Sequence, residues 1–173
     1  MVEDNESFTD QIRGYREKLE KAGSYGDVWE IVKDSVRSVL KQYRVGMMLF
    51  LDDLPLQMGA FHPVGTNNIV INRALLKIVE IATEKPLTVN AFVYTILLHE
   101  YLHAIGYLRE TDVRPLVQKI AQECFGSDYI ATQLARSGPW SILKDVPLDA
   151  IQAPRRIMEI VKDFEKSSKD YIA

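Results

Sequence analysis

Apolar residues recur at helical spacing from the start of the chain. Over residues 6–22, Phe8, Ile12, Tyr15 and Leu19 stand among charges and predict an amphipathic helix. The stretch Ala22-Gly-Ser-Tyr-Gly26 interrupts it, and a second helix is expected over 27–43 with Val28, Ile31, Val32, Val36 and Leu40 on its apolar face. Both read as scaffold. Residues 45–51, Val-Gly-Met-Met-Leu-Phe-Leu, read as a buried strand ended by Asp52-Asp53-Leu-Pro55. Residues 57–62 and 68–72 read as two more strands, joined as a hairpin through the turn formers Pro63-Val-Gly-Thr-Asn-Asn68. Helices follow over 73–82, over 88–107 (strongly apolar) and over 111–124, where Pro115 is tolerated in the first turn. Phe125-Gly126 ends the last of these. The tail predicts a helix near 128–136, a loop at Gly138-Pro139-Trp140 and a final helix near 152–169. Two helices, a small sheet and then helices make an α+β order.

Composition narrows this picture only a little. The 173 residues suffice for one domain, with 47% hydrophobic and 26% charged residues. Within it, 1–43 reads as N-terminal helices, 44–125 as a minimal catalytic core and 126–173 as a helical extension. The net charge of −3 gives no reason to expect a nucleic-acid partner. The lone Cys124 excludes an internal disulfide and any zinc site that needs two or four cysteines. The longest apolar run, Ala91–Leu98, is too short to span a membrane, and the acidic N-terminus carries no signal-peptide pattern. A cytoplasmic protein without a membrane partner is expected.

The candidate chemistry lies in Thr95-Ile-Leu-Leu-His99-Glu100-Tyr-Leu-His103-Ala-Ile-Gly106, which contains H-E-x-x-H. Residues four apart on a helix lie about 40° apart in angle and about 6 Å apart in height. Two imidazoles so placed reach one tetrahedral Zn²⁺. Glu100 follows the first histidine directly, so its carboxylate projects beside the metal, where it can take a proton from water. The chain has three histidines, and two of them bracket this glutamate. A buried glutamate without a partner would be costly in so apolar a helix, and a metal site removes that cost.

The stretch His99-Glu-Tyr-Leu-His103 resembles the active-site helix of zincin metallopeptidases. The segment Gly59-Ala-Phe-His-Pro-Val-Gly-Thr-Asn-Asn-Ile-Val-Ile-Asn72 looks like the strand pair that borders a zincin cleft. The likeness covers about residues 45–125, and its specific part is the H-E-x-x-H. It implies a zincin-like α+β fold, with a small, mostly antiparallel sheet over the active-site helix and an edge strand near 57–72 that binds extended peptide or protein substrate. It also implies a zinc cofactor and peptide-bond hydrolysis with Glu100 as general base.

The branch depends on the third ligand. The metzincin extension would need a histidine at 109, and Arg109 cannot ligate zinc. Gluzincins take a glutamate from the following helix, and a minimal gluzincin is the nearest pattern. Glu110 is favoured, because a short link would return the start of that helix to His103. Glu123, twenty residues beyond His103, resembles the thermolysin spacing, and His62 is a third candidate. Tyr101, Tyr107, Tyr129 and Arg109 are candidate donors to an oxyanion. Asn72 is expected to fix a strand-to-helix turn and Cys124 to lie in the core. Two other readings stand beside the peptidase. One is a zinc-binding or regulatory protein whose cleft the segment from Gly126 covers. The other is a metal-dependent endoribonuclease, since His-x-x-x-His-x-x-Gly-Tyr at 99–107 is similar to the rRNA-maturation nucleases but lacks their third histidine at Arg109.

Overall fold

The computed structural model describes residues 2–165, with residues 2–4 described for their backbone alone. The described elements run α1 (Val2–Lys21), α2 (Tyr25–Leu40), β1 (Met48–Asp52), β2 (Ala60–Phe61), β3 (Asn68–Asn72), α3 (Arg73–Thr83), α4 (Pro86–Ala104), α5 (Glu110–Phe125), α6 (Ile130–Ser137) and β4 (Glu159–Ile160). The class is α+β. The break after α1 is short because Ser24 caps the next helix: its side chain accepts from the Asp27 N–H at 3.1 Å. Helix α2 buries Val28, Ile31, Val32 and Val36, as its apolar spacing predicts, and Trp29 with them.

The strands form one mixed sheet in the order β2-β3-β1-β4. The expectation of a mostly antiparallel sheet is corrected in one respect: two of the three pairings are antiparallel, but the sheet is mixed. The longest pairing, Met48–Asp52 on Asn68–Asn72, is parallel, whereas β2 on β3 and β4 on β1 are antiparallel with two residue pairs each. The chain leaves β1, passes along the far side of β3 as β2, and returns as β3 in the direction of β1. Strand β2 is shorter than the expected 57–62 because the preceding loop is held by Asn72. That buried amide donates to the carbonyls of Leu54, Pro55 and Met58 at 3.2, 3.1 and 2.9 Å. Its oxygen accepts from Leu75 N–H at 3.3 Å and so caps α3, the expected turn-fixing role.

Helix α4 is the axis of the molecule. Every residue from Ala91 to Leu98 is buried, and the helix touches all five other helices as well as β2 and β3. A helix covered on all sides must be apolar on all sides, which accounts for its lack of a polar face. One core cluster runs from Tyr15 to Phe164. No helix of the described residues is long and apolar enough to cross a membrane.

The expected final helix over 152–169 is a second correction, as far as it is described; residues 166–169 lie outside the described residues. Residues 151–158 form no regular element, and β4 then pairs with β1 at Phe50 and Leu51. Pro154 removes a backbone donor and pushes Ala153 away from helical angles. Tertiary partners hold the segment instead. Arg156 binds Asp53, Phe164 stacks on Trp29 with centroids 4.8 Å apart, and Trp29 Nε1 donates to the buried Glu165 at 2.9 Å. Lys33 completes this anchor by pairing with Glu165.

Candidate metal centre

The end of α4 builds the site. Gly106 N–H bonds to the His103 carbonyl at 3.1 Å and Tyr107 N–H to the Leu102 carbonyl at 3.1 Å, the two bonds of a Schellman termination. Gly106 sits at φ 119, a conformation that side-chain-bearing residues rarely adopt. The helix therefore stops at Ala104, one residue after His103, and α5 begins at Glu110 after a five-residue link. This turn carries Glu110 back onto the two histidines.

Glu110 Oε1 lies 3.2 Å from His99 Nε2 and 2.9 Å from His103 Nε2. Ligand atoms from all three residues fall within 4.8 Å of one another, and the group could hold a metal ion. Donors about 2.1 Å from a tetrahedral zinc are about 3.4 Å apart, so these separations suit the ion. The hydrogen bonding of His103 adds a sharper test. Its Nδ1 lies 2.7 Å from the Tyr107 carbonyl oxygen, to which only an N–H can bond. In the neutral ring the other nitrogen then carries a lone pair, and that lone pair faces a carboxylate oxygen at 2.9 Å. Two acceptors at this distance repel unless a proton or a cation lies between them. Two imidazole nitrogens and a carboxylate are also a donor set that zinc takes in catalytic sites. The residues fit the metal.

The electrostatics divide the group. Burial holds His99 below the usual histidine range, against the opposing pull of Glu110. Burial works to raise Glu110 as well, but the two histidines outweigh it and leave its pKa lowered. Glu110 is the open side of the site, 53% exposed against 28% for His99 and 16% for His103. Glu100 is buried beside them, and that burial pushes its pKa up to about 7; His103 opposes the shift, Glu110 adds to it, and the His62 backbone opposes it. A cation held at the three neighbours would draw this value down.

His99, Glu100 and Glu110 line a cavity of about 600 Å³. One wall is the Gln57–Ala60 segment leading into β2, and the facing wall is the end of α6 with Gly138, Pro139 and Trp140. Gly59 allows the close approach of sheet and helix, since a Cβ there would stand 3.1 Å from Ile96 Cδ1. The segment after Gly126 thus lines the cleft, while residues 159–160 run along the opposite edge of the sheet, on β1.

The rival ligands stand elsewhere. His62 Nδ1 bonds the Asn68 carbonyl at 2.8 Å inside the hairpin, and Glu123 faces Lys119 at 4.0 Å on the exposed side of α5. None of the four candidate oxyanion donors lines the cavity. Tyr101 bonds the Arg44 backbone, Tyr107 bonds Gln42, Tyr129 bonds Glu20 and the Arg16 carbonyl, and Arg109 pairs with Asp112. The cations that do line it are Arg114 and Arg136. Sequence reasoning passed over both. Arg114 was legible, because it follows Glu110 by four residues and so shares its helix face; its Nε stands 3.7 Å from Glu110 Oε2. Arg136 carried no such signal, because it reaches the cleft through tertiary packing of α6. Cys124 is buried and its thiol is pushed up to about 12, first by burial, which suits a core residue. Comparison with protein-family models, with curated proteins and with solved structures gives no match to this chain.

Proposed function

We propose that this chain is a zincin-like, zinc-dependent peptidase that hydrolyses peptide bonds, with His99, His103 and Glu110 as metal ligands and Glu100 as general base. The observation that carries the reading is the convergence of His99 Nε2, His103 Nε2 and a Glu110 carboxylate oxygen, with the carboxylate 3.2 and 2.9 Å from the two imidazole nitrogens and all three ligand atoms within 4.8 Å of one another. Zn²⁺ held there would supply Lewis acidity toward a carbonyl oxygen and toward water.

The chain's own residues account for the rest. Glu100 stands beside the ligands and is not one of them, so its carboxylate is free to take a proton from water and return it to the leaving amine. Among the described residues β2 is an edge strand beside the same cavity, and an extended peptide can add to it as a further strand. Arg114, on the cavity wall one turn beyond Glu110 with its Nε 3.7 Å from Glu110 Oε2, is a donor available to a developing oxyanion. A cytoplasmic setting fits a chain whose single cysteine is free and buried.

The test compares wild type with Glu100→Gln, both loaded with zinc, on one unfolded protein substrate. The variant is expected to keep its metal and to lose about 10²–10⁴-fold in rate. Equal rates in the two proteins would sink the mechanism, and absence of cleavage by both would remove the peptidase reading.

A further inference from the structure

The wall that faces β2 carries three side-chain donors on consecutive turns of chain: the Arg136 guanidinium, the Ser137 hydroxyl and the Trp140 indole N–H. All three line the cavity that holds His99, Glu100 and Glu110. Arg136 lies in the last turn of α6, which ends at Ser137; Gly138 follows at φ 86, and Pro139 opens the 3-10 turn that bears Trp140. None of the three side chains makes a hydrogen bond or ion pair among the described residues. Arg13, Arg73, Arg109 and Arg156 all pair with carboxylates. The other cavity arginine, Arg114, leans toward Glu110 at 3.7 Å. Arg136 is thus left as an exposed cation inside the cleft, beside two neutral donors and an apolar wall of Ile96 and Trp140.

We propose that Arg136 is a specificity-determining residue that binds a substrate carboxylate, so that the site prefers peptides presenting an acidic group on the α6 side of the metal ligands. The inference rests on the peptidase reading above. A guanidinium offers a planar pair of N–H donors that match the two oxygens of a carboxylate. Ser137 and Trp140 line the same cavity and can add donors. The carboxylate has two sources in a peptide, an aspartate or glutamate side chain and the free chain terminus, and they present the same chemistry to this wall.

Trp140 supplies a readout that needs no cleavage. The other tryptophan, Trp29, is fully buried and bonded to Glu165, so quenching by a bound peptide reports on the cavity. Zinc-loaded Glu100→Gln protein is titrated with peptide pairs that differ only in Glu against Gln, and with pairs that differ only in a free or amidated C-terminus. At least one pair is expected to show roughly tenfold tighter binding of the acid, the order of a charge-assisted hydrogen bond, and the pair that responds identifies the source. Arg136→Ala is expected to bring the responding pair within about twofold, and Arg136→Glu to favour a lysine peptide over its glutamate counterpart. Equal binding of acid and amide by the unsubstituted wall overturns the inference while leaving the peptidase reading in place. A preference that survives Arg136→Ala also overturns it, because the carboxylate would then be held by the metal. If no peptide of any charge quenches Trp140, the peptidase reading itself fails.

Discussion

At the residue scale the site depends on one carboxylate, two imidazoles and a carbonyl that sets a tautomer. Glu110 makes contact with both histidines, whereas Glu123 stands on the exposed side of α5 beside Lys119. Glu110→Ala is therefore expected to release zinc to a competing chelator far more readily than Glu123→Ala, which should match wild type. The reverse order would move the third ligand to Glu123. Gly106→Ala should also weaken metal retention without touching a ligand. Its φ of 119 is closed to alanine, and relaxing that angle displaces both the Tyr107 carbonyl and Glu110. Cys124 offers a control on the core. With its thiol raised to about 12 by burial, it should react negligibly with a disulfide reagent near pH 8 until the protein is unfolded.

Among the elements, the C-terminal segment behaves as a strap that closes the molecule on the side away from the cleft. Phe164 is 3% exposed and stacks on Trp29, which in turn meets Tyr101 of the site helix edge-on at 4.8 Å. Phe164→Ala should destabilise the fold by about 3–5 kcal/mol, the cost of emptying a buried aromatic site, as read by urea unfolding. The other end of the strap is held by Asp53, whose side chain is 2% exposed between Arg73 and Arg156. Hydrogen bonds from Arg156, then Arg73, hold its carboxyl well below the usual carboxylate range, against the opposing effect of burial. The sign follows directly. A lowered native value adds stability that is fully present above the ordinary carboxylate pKa of about 4 and is lost as pH falls through the native value. Asp53→Asn should accordingly lower Tm at pH 7 and flatten its fall below about pH 4. An acid profile identical to wild type would remove Asp53 from that account.

Over the whole molecule, the proposed ligands come from two helices, so metal binding at this site would be coupled to folding. His99 and His103 sit on α4 and Glu110 opens α5, so on the proposed reading the native state would bind the ion far better than the unfolded chain. Free zinc at a hundredfold excess over Kd should add about 2.7 kcal/mol. For a chain of this size that is a rise of about 5–10 °C in Tm. His99→Ala should show no such rise in a thermal melt. A wild-type Tm unmoved by zinc would contradict the proposed centre. Truncation before Gly126 is a poor way to open the cleft, because Ala131, Leu134 and Phe164 belong to the common core and their loss would unfold it.

The residues themselves determined the helices that carry their own periodicity and caps. Val28, Ile31, Val32 and Val36 lie where their spacing puts them, Ser24 and Asn72 cap as polar side chains before a helix do, and Gly106 ends α4 where its backbone freedom is needed. The pairing of His99 with His103 was equally legible, since four residues on a helix define a face whatever surrounds it. The approach of Glu110 followed from a short link between two helices. Tertiary structure decided what local spacing cannot encode. The parallel pairing of β1 with β3 depends on where β2 passes, and the strap over 151–165 takes its conformation from Asp53, Trp29 and β1, although its apolar residues mimic a helical period. The same holds for the cations of the cleft. Arg136 enters the site because α6 packs on α4 and α5, which brings together positions far apart in sequence, and only the closed core makes that contact.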